Sequence, residues 1–300
     1  MFGNSEVAIK SLSLIFGVGT IPLVYVVAKK LTTKVNSILA VFIVSASPLL
    51  VYFSTEARMY SMAVFLVMLS LNYLIDFEQK KDKKSLIKLV VVNVLLPYTL
   101  VGGILYNLAL WICYGIYLYR NDKYNYFRYL KSVGAEFLAL VPYFMLIVHY
   151  GGMRQGFVIK HEGVLLLAQV VDGIRNFFAI NLTDNIYWAS VSPYYISFWF
   201  LLFVIVPCVY FVCGLVRGIK TEDKFLKTIY CTVILAFVFF TITAFFQIHL
   251  FTARYILYLL APMLILSIIG LSEKFSPVHL KLFVIFFVIS SIFSNIIYYK

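Results

Sequence analysis

The chain alternates long apolar runs with short polar turns, and the runs have the length of membrane helices. A bilayer core of about 30 Å takes roughly 17 to 25 apolar residues in helical form to cross. On that measure the pattern predicts ten helices, at 11–28, 37–54, 59–75, 86–101, 104–119, 132–150, 193–216, 228–248, 254–271 and 282–298. The pair 86–101 and 104–119 is short, and Pro97, Gly102 and Gly103 mark the turn between them. Pro48 sits inside the second run and predicts a kink there. The expected fold class is an all-α integral membrane protein, a multi-span helical bundle of about ten transmembrane helices in one domain over 1–300.

The one long connection covers 151–192. Within it, 164–180 reads as an amphipathic helix, with Gln169, Asp172 and Asn176 on one face and Leu, Val, Ile and Phe elsewhere. Two readings stand for that stretch. It lies in the membrane interface, or it is a buried or re-entrant element.

Composition agrees with the pattern. Of 300 residues, 63% are hydrophobic and 13% are charged, against about 25% charged in soluble domains. A net charge of +12 raises the question of nucleic acid. The basic residues, however, sit in short turns between apolar runs, where they set orientation in a membrane. Alternate turns (29–36, 76–88, 120–131, 217–227 and 272–281) hold 18 of the 25 lysines and arginines. That end of the bundle is expected to be cytoplasmic, which places the amino terminus, Glu56–Tyr60 and Arg254 on the opposite side. The first run is not a signal peptide, because Lys29 and Lys30 follow its apolar core rather than precede it.

Few residues are placed to do chemistry. The four cysteines lie in apolar runs and form no C-x-x-C pair, and the four histidines have no metal-ligand spacing, so no metal is expected. Soluble nucleotide-binding and hydrolase motifs are absent. What stands out is Ser54-Thr55-Glu56-Ala57-Arg58-Met59-Tyr60-Ser61, between two spans. Ionisable groups at a helix mouth are costly unless they face a cavity or a partner. A second Arg-Tyr pair, Arg254-Tyr255, opens a later span on the same expected side. Arginine and tyrosine both donate hydrogen bonds to phosphate oxygens, arginine with two at once. Two converging pairs would grip one phosphate, and two independent headgroup anchors are the alternative. Glu136, inside a span, is expected to pack or to pair with Lys131.

These residues also carry a resemblance. Phe2-Gly3-Asn4-Ser5-Glu6-Val7-Ala8-Ile9-Lys10-Ser11-Leu12-Ser13 resembles the FG-x-SE-x-A-x-R-x-x-S start of a helix in polyprenyl-phosphate-sugar-dependent glycosyltransferases of the GT-C fold. Ser47-Pro48 through Glu56-Ala57-Arg58-Met59-Tyr60-Ser61 is similar to that family's SP…S-x-EAR-x-Y signature. Arg254-Tyr255-Ile256-Leu257, with Pro262 and Gly270-Leu271, is similar to its later RYLL…P…GL helix. The family is that of the protein mannosyltransferases and aminoarabinose transferases.

The resemblance implies a multi-pass cell-membrane enzyme that moves a sugar from a polyprenyl-phosphate donor to a lipid, glycan or protein acceptor on the non-cytoplasmic side. No cofactor and no nucleic acid are implied. Arg58, Tyr60, Arg254 and Tyr255 would bind the donor phosphate, and Glu56 would support Arg58. Family members carry an acidic base in an earlier outer loop, and often a His-Pro-Pro element, which this sequence lacks. The chain is therefore expected to be an amino-terminally shortened form, with its catalytic base unassigned. A lipid-linked sugar flippase, or another multi-span transporter, is the rival class. It would explain the paired arginines without a base.

Overall fold

The computed structural model describes residues 6–151, 206–245 and 253–298. The predicted outer loop from 152 on, with its helix at 164–180, lies outside the described residues. So do Phe2–Ser5 and the side chain of Arg254. Among the described residues the chain is all helix. Its elements are α1 (Glu6–Leu31), α2 (Lys34–Ala46), α3 (Pro48–Thr55), α4 (Tyr60–Lys80), α5 (Lys83–Thr99), α6 (Gly103–Asn121) and α7 (Lys123–Gly151). They continue with α8 (Val206–Gly218), α9 (Lys224–Phe245), α10 (Ala253–Ile256), a 3-10 turn (Leu257–Leu259), α11 (Leu260–Lys274) and α12 (Pro277–Tyr298).

The all-α membrane bundle stands, but the count of ten spans needs correction. Among the described residues four helices are long and apolar enough to cross a membrane: Lys10–Leu31, Tyr60–Lys80, Lys123–Leu146 and Lys224–Thr243. A fifth follows if α2 and α3, bent by 55° at their break, form one span. Two of the other runs fall short for physical reasons. Helix α5 has 17 residues and includes Lys88 and Asn93. Helix α6 is rich in tyrosine, which dilutes its apolar character. The apolar helix Leu257–Glu273 has 17 residues, at the lower limit of a span, and the run predicted at 193–216 lies partly outside the described residues.

Local sequence explains where the helices start and turn. Pro48 is the first residue of α3, where its missing N–H is no loss, and there the second run breaks. At the lysine-rich end, polar caps open the helices. Thr33 accepts from the Asn36 amide, Asp82 from Ser85, Asp122 from Asn125 and Asp223 from Phe225 and Leu226. Contacts tie these turns together. Lys30 reaches Asp76 at 3.1 Å, Arg128 donates to the Lys81 carbonyl at 2.8 Å, and Lys224 donates to Asn121 at 3.3 Å. The basic turns predicted to share a side thus gather at one end of the bundle.

Inside, two devices hold the helices. Helices α4 to α7 share a buried polar network. The fully buried Glu136 carboxylate accepts from Trp111 Nε1 at 2.7 Å and from Asn93 Nδ2 at 3.4 Å. Asn93 Oδ1 in turn accepts from Ser70 at 2.7 Å. The expected alternatives for Glu136 were packing or Lys131, and these donors take the place of the lysine. A buried carboxylate without such donors would be severely destabilising. Helices α8 and α11 meet through small residues. A Cβ on Gly270 would run into the Gly214 backbone, and one on Gly214 into the Ser267 backbone. Ser267 Oγ donates across the seam to the Phe211 carbonyl at 3.1 Å. Small residues let membrane helices approach this closely.

That seam sets the first prediction. Gly270→Leu forces α8 and α11 apart and lowers stability by about 1–3 kcal/mol. At Gly115 a Cβ meets nothing within 4 Å, so Gly115→Ala leaves stability unchanged or raises it by about 1 kcal/mol through helix propensity. Thermal unfolding of the detergent-purified variants, followed by intrinsic fluorescence, reads both.

Candidate functional site

The site lies at the end of the bundle away from the basic turns, where α1 begins, α3 turns into α4, and α10 enters. The turn is tight. The Arg58 amide donates to the Glu56 carbonyl at 2.8 Å, and α4 begins at Tyr60. Ser61 Oγ donates back to the Phe53 carbonyl at 2.8 Å, closing the corner between α3 and α4. From α1, Ser13 Oγ donates to the Arg58 carbonyl at 2.8 Å. One helical turn further along, Gly17 abuts Ser54, and a Cβ at Gly17 would come within 2.5 Å of Ser54 Cβ.

The predicted residues take distinct places in this frame. The Arg58 side chain is 51% exposed, and its Nε lies 3.6 Å from Glu56 Oε2. Its guanidinium is held above its ordinary value, first by the hydrogen bond with Tyr60 and then by the Glu56 carboxylate. It is a fixed cation at any physiological pH. Tyr60 is 3% exposed and sits edge-on to Phe53, with ring centroids 4.9 Å apart. Tyr255 also approaches it, centroids 6.2 Å apart in a T-shaped pair. The two Arg-Tyr segments, distant in sequence, therefore meet through their tyrosines. Arg254 lies in the four-residue helix α10 beside Tyr255.

The second segment is itself anchored. After α10 the chain tightens into the 3-10 turn, and the buried Tyr258 hydroxyl donates to the Gly102 carbonyl at 2.8 Å. Its ring lies 5.7 Å from that of Phe240. Pro262 falls in the first turn of α11, where proline is tolerated. A cavity of about 90 Å³ opens one turn below the Arg58 corner, lined by Gly17, Thr20, Ser45, Ser54, Ser61 and Leu257 among others. Its four hydroxyls all donate to helix carbonyls. They face the cavity only as acceptors.

Sequence reasoning singled out Glu56, Arg58, Tyr60, Arg254 and Tyr255, and the structure brings Glu56, Arg58, Tyr60 and Tyr255 to one corner. It missed the ties that place them. Ser13 stood in a motif without a role, although its position on α1 was the available signal. Nothing in the sequence paired Tyr258 with Gly102.

The architecture and the site together define a class: a helical membrane protein that presents a fixed cation at one end of its bundle. Residues 1–141 match the family model of dolichyl-phosphate-mannose-protein mannosyltransferases, membrane glycosyltransferases of the GT-C type. This bears out the family resemblance over the stretch that contains α1 to α6 and the Glu56–Tyr60 corner. No curated protein matches the chain, and no solved structure matches it.

The anchor generates a prediction. Tyr258→Phe removes one hydroxyl and leaves the Gly102 carbonyl with the Leu105 amide as its donor, at a cost of about 0.5–1.5 kcal/mol. The thermal midpoint should fall accordingly, and an unchanged midpoint would show that the Leu105 amide alone satisfies the carbonyl.

Proposed function

We propose that the protein transfers a sugar from a polyprenyl-phosphate donor to an acceptor on the non-cytoplasmic face of the membrane. The contact of Tyr60 with Tyr255 carries this reading, because it joins the two Arg-Tyr segments at one corner. In such a transfer the bond between the sugar's anomeric carbon and the phosphate oxygen breaks. The acceptor hydroxyl adds to that carbon and gives up its proton to a base. The lipid phosphate leaves with added negative charge.

A cation already fixed where that charge develops lowers the barrier without reorganisation. Arg58 fits this role, being half exposed, charged and braced by Glu56 and Tyr60. Arg254 is the second cation in this reading. Tyr255 and Tyr60 flank them, and Tyr60, being buried, serves by holding Arg58. The clustering of basic turns at the far end supports an outward-facing site.

Arg58→Ala is expected to lower transfer from a radiolabelled polyprenyl-phosphate sugar by about 10²–10³-fold, with expression intact. Arg58→Lys should retain part of the rate, since the charge stays but the two-pronged geometry is lost. Unchanged transfer in Arg58→Ala would refute the assignment. Movement of labelled lipid across the bilayer without transfer would instead point to a flippase.

In a second test, the effects of Arg58→Ala and Arg254→Ala should be non-additive if both act on one phosphate. Full additivity of the two rate losses would separate them.

A further inference from the structure

We infer that Ser13 is a positioning residue for the donor phosphate, acting through the backbone of Arg58. The inference rests on the function proposed above. Arg58 lies on a corner between α3 and α4, outside either helix ladder. Its amide is used by Glu56, and its carbonyl accepts from Ser13 Oγ at 2.8 Å, from a residue 45 positions away. Ser13 is almost fully buried, so this hydrogen bond is shielded from competing water.

The register of α1 reinforces the contact. Ser13 and Gly17 are four apart and lie on one face of α1, and they meet Arg58 and Ser54, which are also four apart. Gly17 lets α1 come close enough for the Ser13 hydroxyl to reach the carbonyl. Any side chain there would press on Ser54. The first helix thus acts as a gauge. Its small-residue face sets the height and rotation of the corner, and so the direction in which the guanidinium points.

Glu56 and Tyr60 restrain the side chain of Arg58, whereas Ser13 restrains its backbone. Without Ser13 the corner keeps its charge but loses its fixed aim, and the loss falls on ligands that carry a phosphate.

The test uses the detergent-purified full chain and two probes, farnesyl phosphate and uncharged farnesol, with binding followed by calorimetry. Ser13→Ala should weaken farnesyl phosphate about five- to tenfold, the worth of one hydrogen bond, and leave farnesol unchanged. Ser13→Thr, which keeps the hydroxyl, should restore the affinity. In an Arg58→Ala background, Ser13→Ala should change nothing further, because its effect passes through that residue.

If Arg58→Ala weakens farnesyl phosphate but Ser13→Ala does not, the positioning role is overturned and the proposed function stands. It is also overturned if Ser13→Ala weakens both probes equally, or if threonine fails to rescue, since the hydroxyl then serves the fold alone. If Arg58→Ala binds farnesyl phosphate as the unaltered protein does, the phosphate site itself is overturned, and the role of Ser13 with it.

Discussion

Tyr60 and Tyr255 meet edge to face at one end of the bundle, and the candidate site depends on that contact. Tyr60 begins α4, the most enclosed of the long helices, and Tyr255 belongs to a short helix far along the chain. An aromatic edge against an aromatic face is favourable beyond the area it buries. In a bilayer that matters, because lipid tails compete with any apolar side chain and hydrophobic burial alone does not choose a partner. The contact therefore specifies which segments adjoin. Phe53 on one side of Tyr60, and Tyr258 holding the Gly102 carbonyl beyond Tyr255, extend it into a framework linking α3, α4, the α5–α6 turn and the start of α11.

The same logic governs the interior. A buried polar group in a membrane helix bundle is costly without a partner from the protein itself. Glu136 finds Trp111 and Asn93, Asn93 finds Ser70, and Asn107 donates to the Asn93 carbonyl at 2.6 Å, so four helices are joined in one register. The glycine seam between α8 and α11 achieves the same end without polar side chains, by backbone proximity. Neither device lies at the proposed site. The polar network holds α4, on which the site is mounted, and the seam holds α11, which follows α10.

Some of this was legible in the sequence. The gathering of Lys30, Lys81, Arg128 and Lys224 at one end follows from lysine-rich turns alternating with apolar runs, and the bend at Pro48 follows from a proline in mid-run. The span count was less legible. Hydropathy sees a continuous apolar run whether the chain crosses in one long helix or in shorter pieces, and the tyrosines of α6 and Lys88 of α5 blur it further. At the site, residue types pointed to Arg58 and Tyr60, but burial could not be read from them. Tyr60 is enclosed while its neighbour Met59 is exposed, because the helix starts between the two and turns one face inward. Long-range ties such as Ser13 to Arg58 leave no local signature at all.

The break between α2 and α3 has a geometric consequence. Helix α2 has 13 residues and α3 has 8, with their axes 55° apart. At about 1.5 Å per residue, the second piece gains little more than half its length along the direction of the first. A straight helix of the same sequence would carry its end several ångströms higher. The bend thus shortens the rise of the α2–α3 pair and lowers the Glu56–Tyr60 corner relative to the end of a straight helix. In the transfer proposed above, that lowered corner would bring Arg58 nearer the depth at which an anionic lipid headgroup lies.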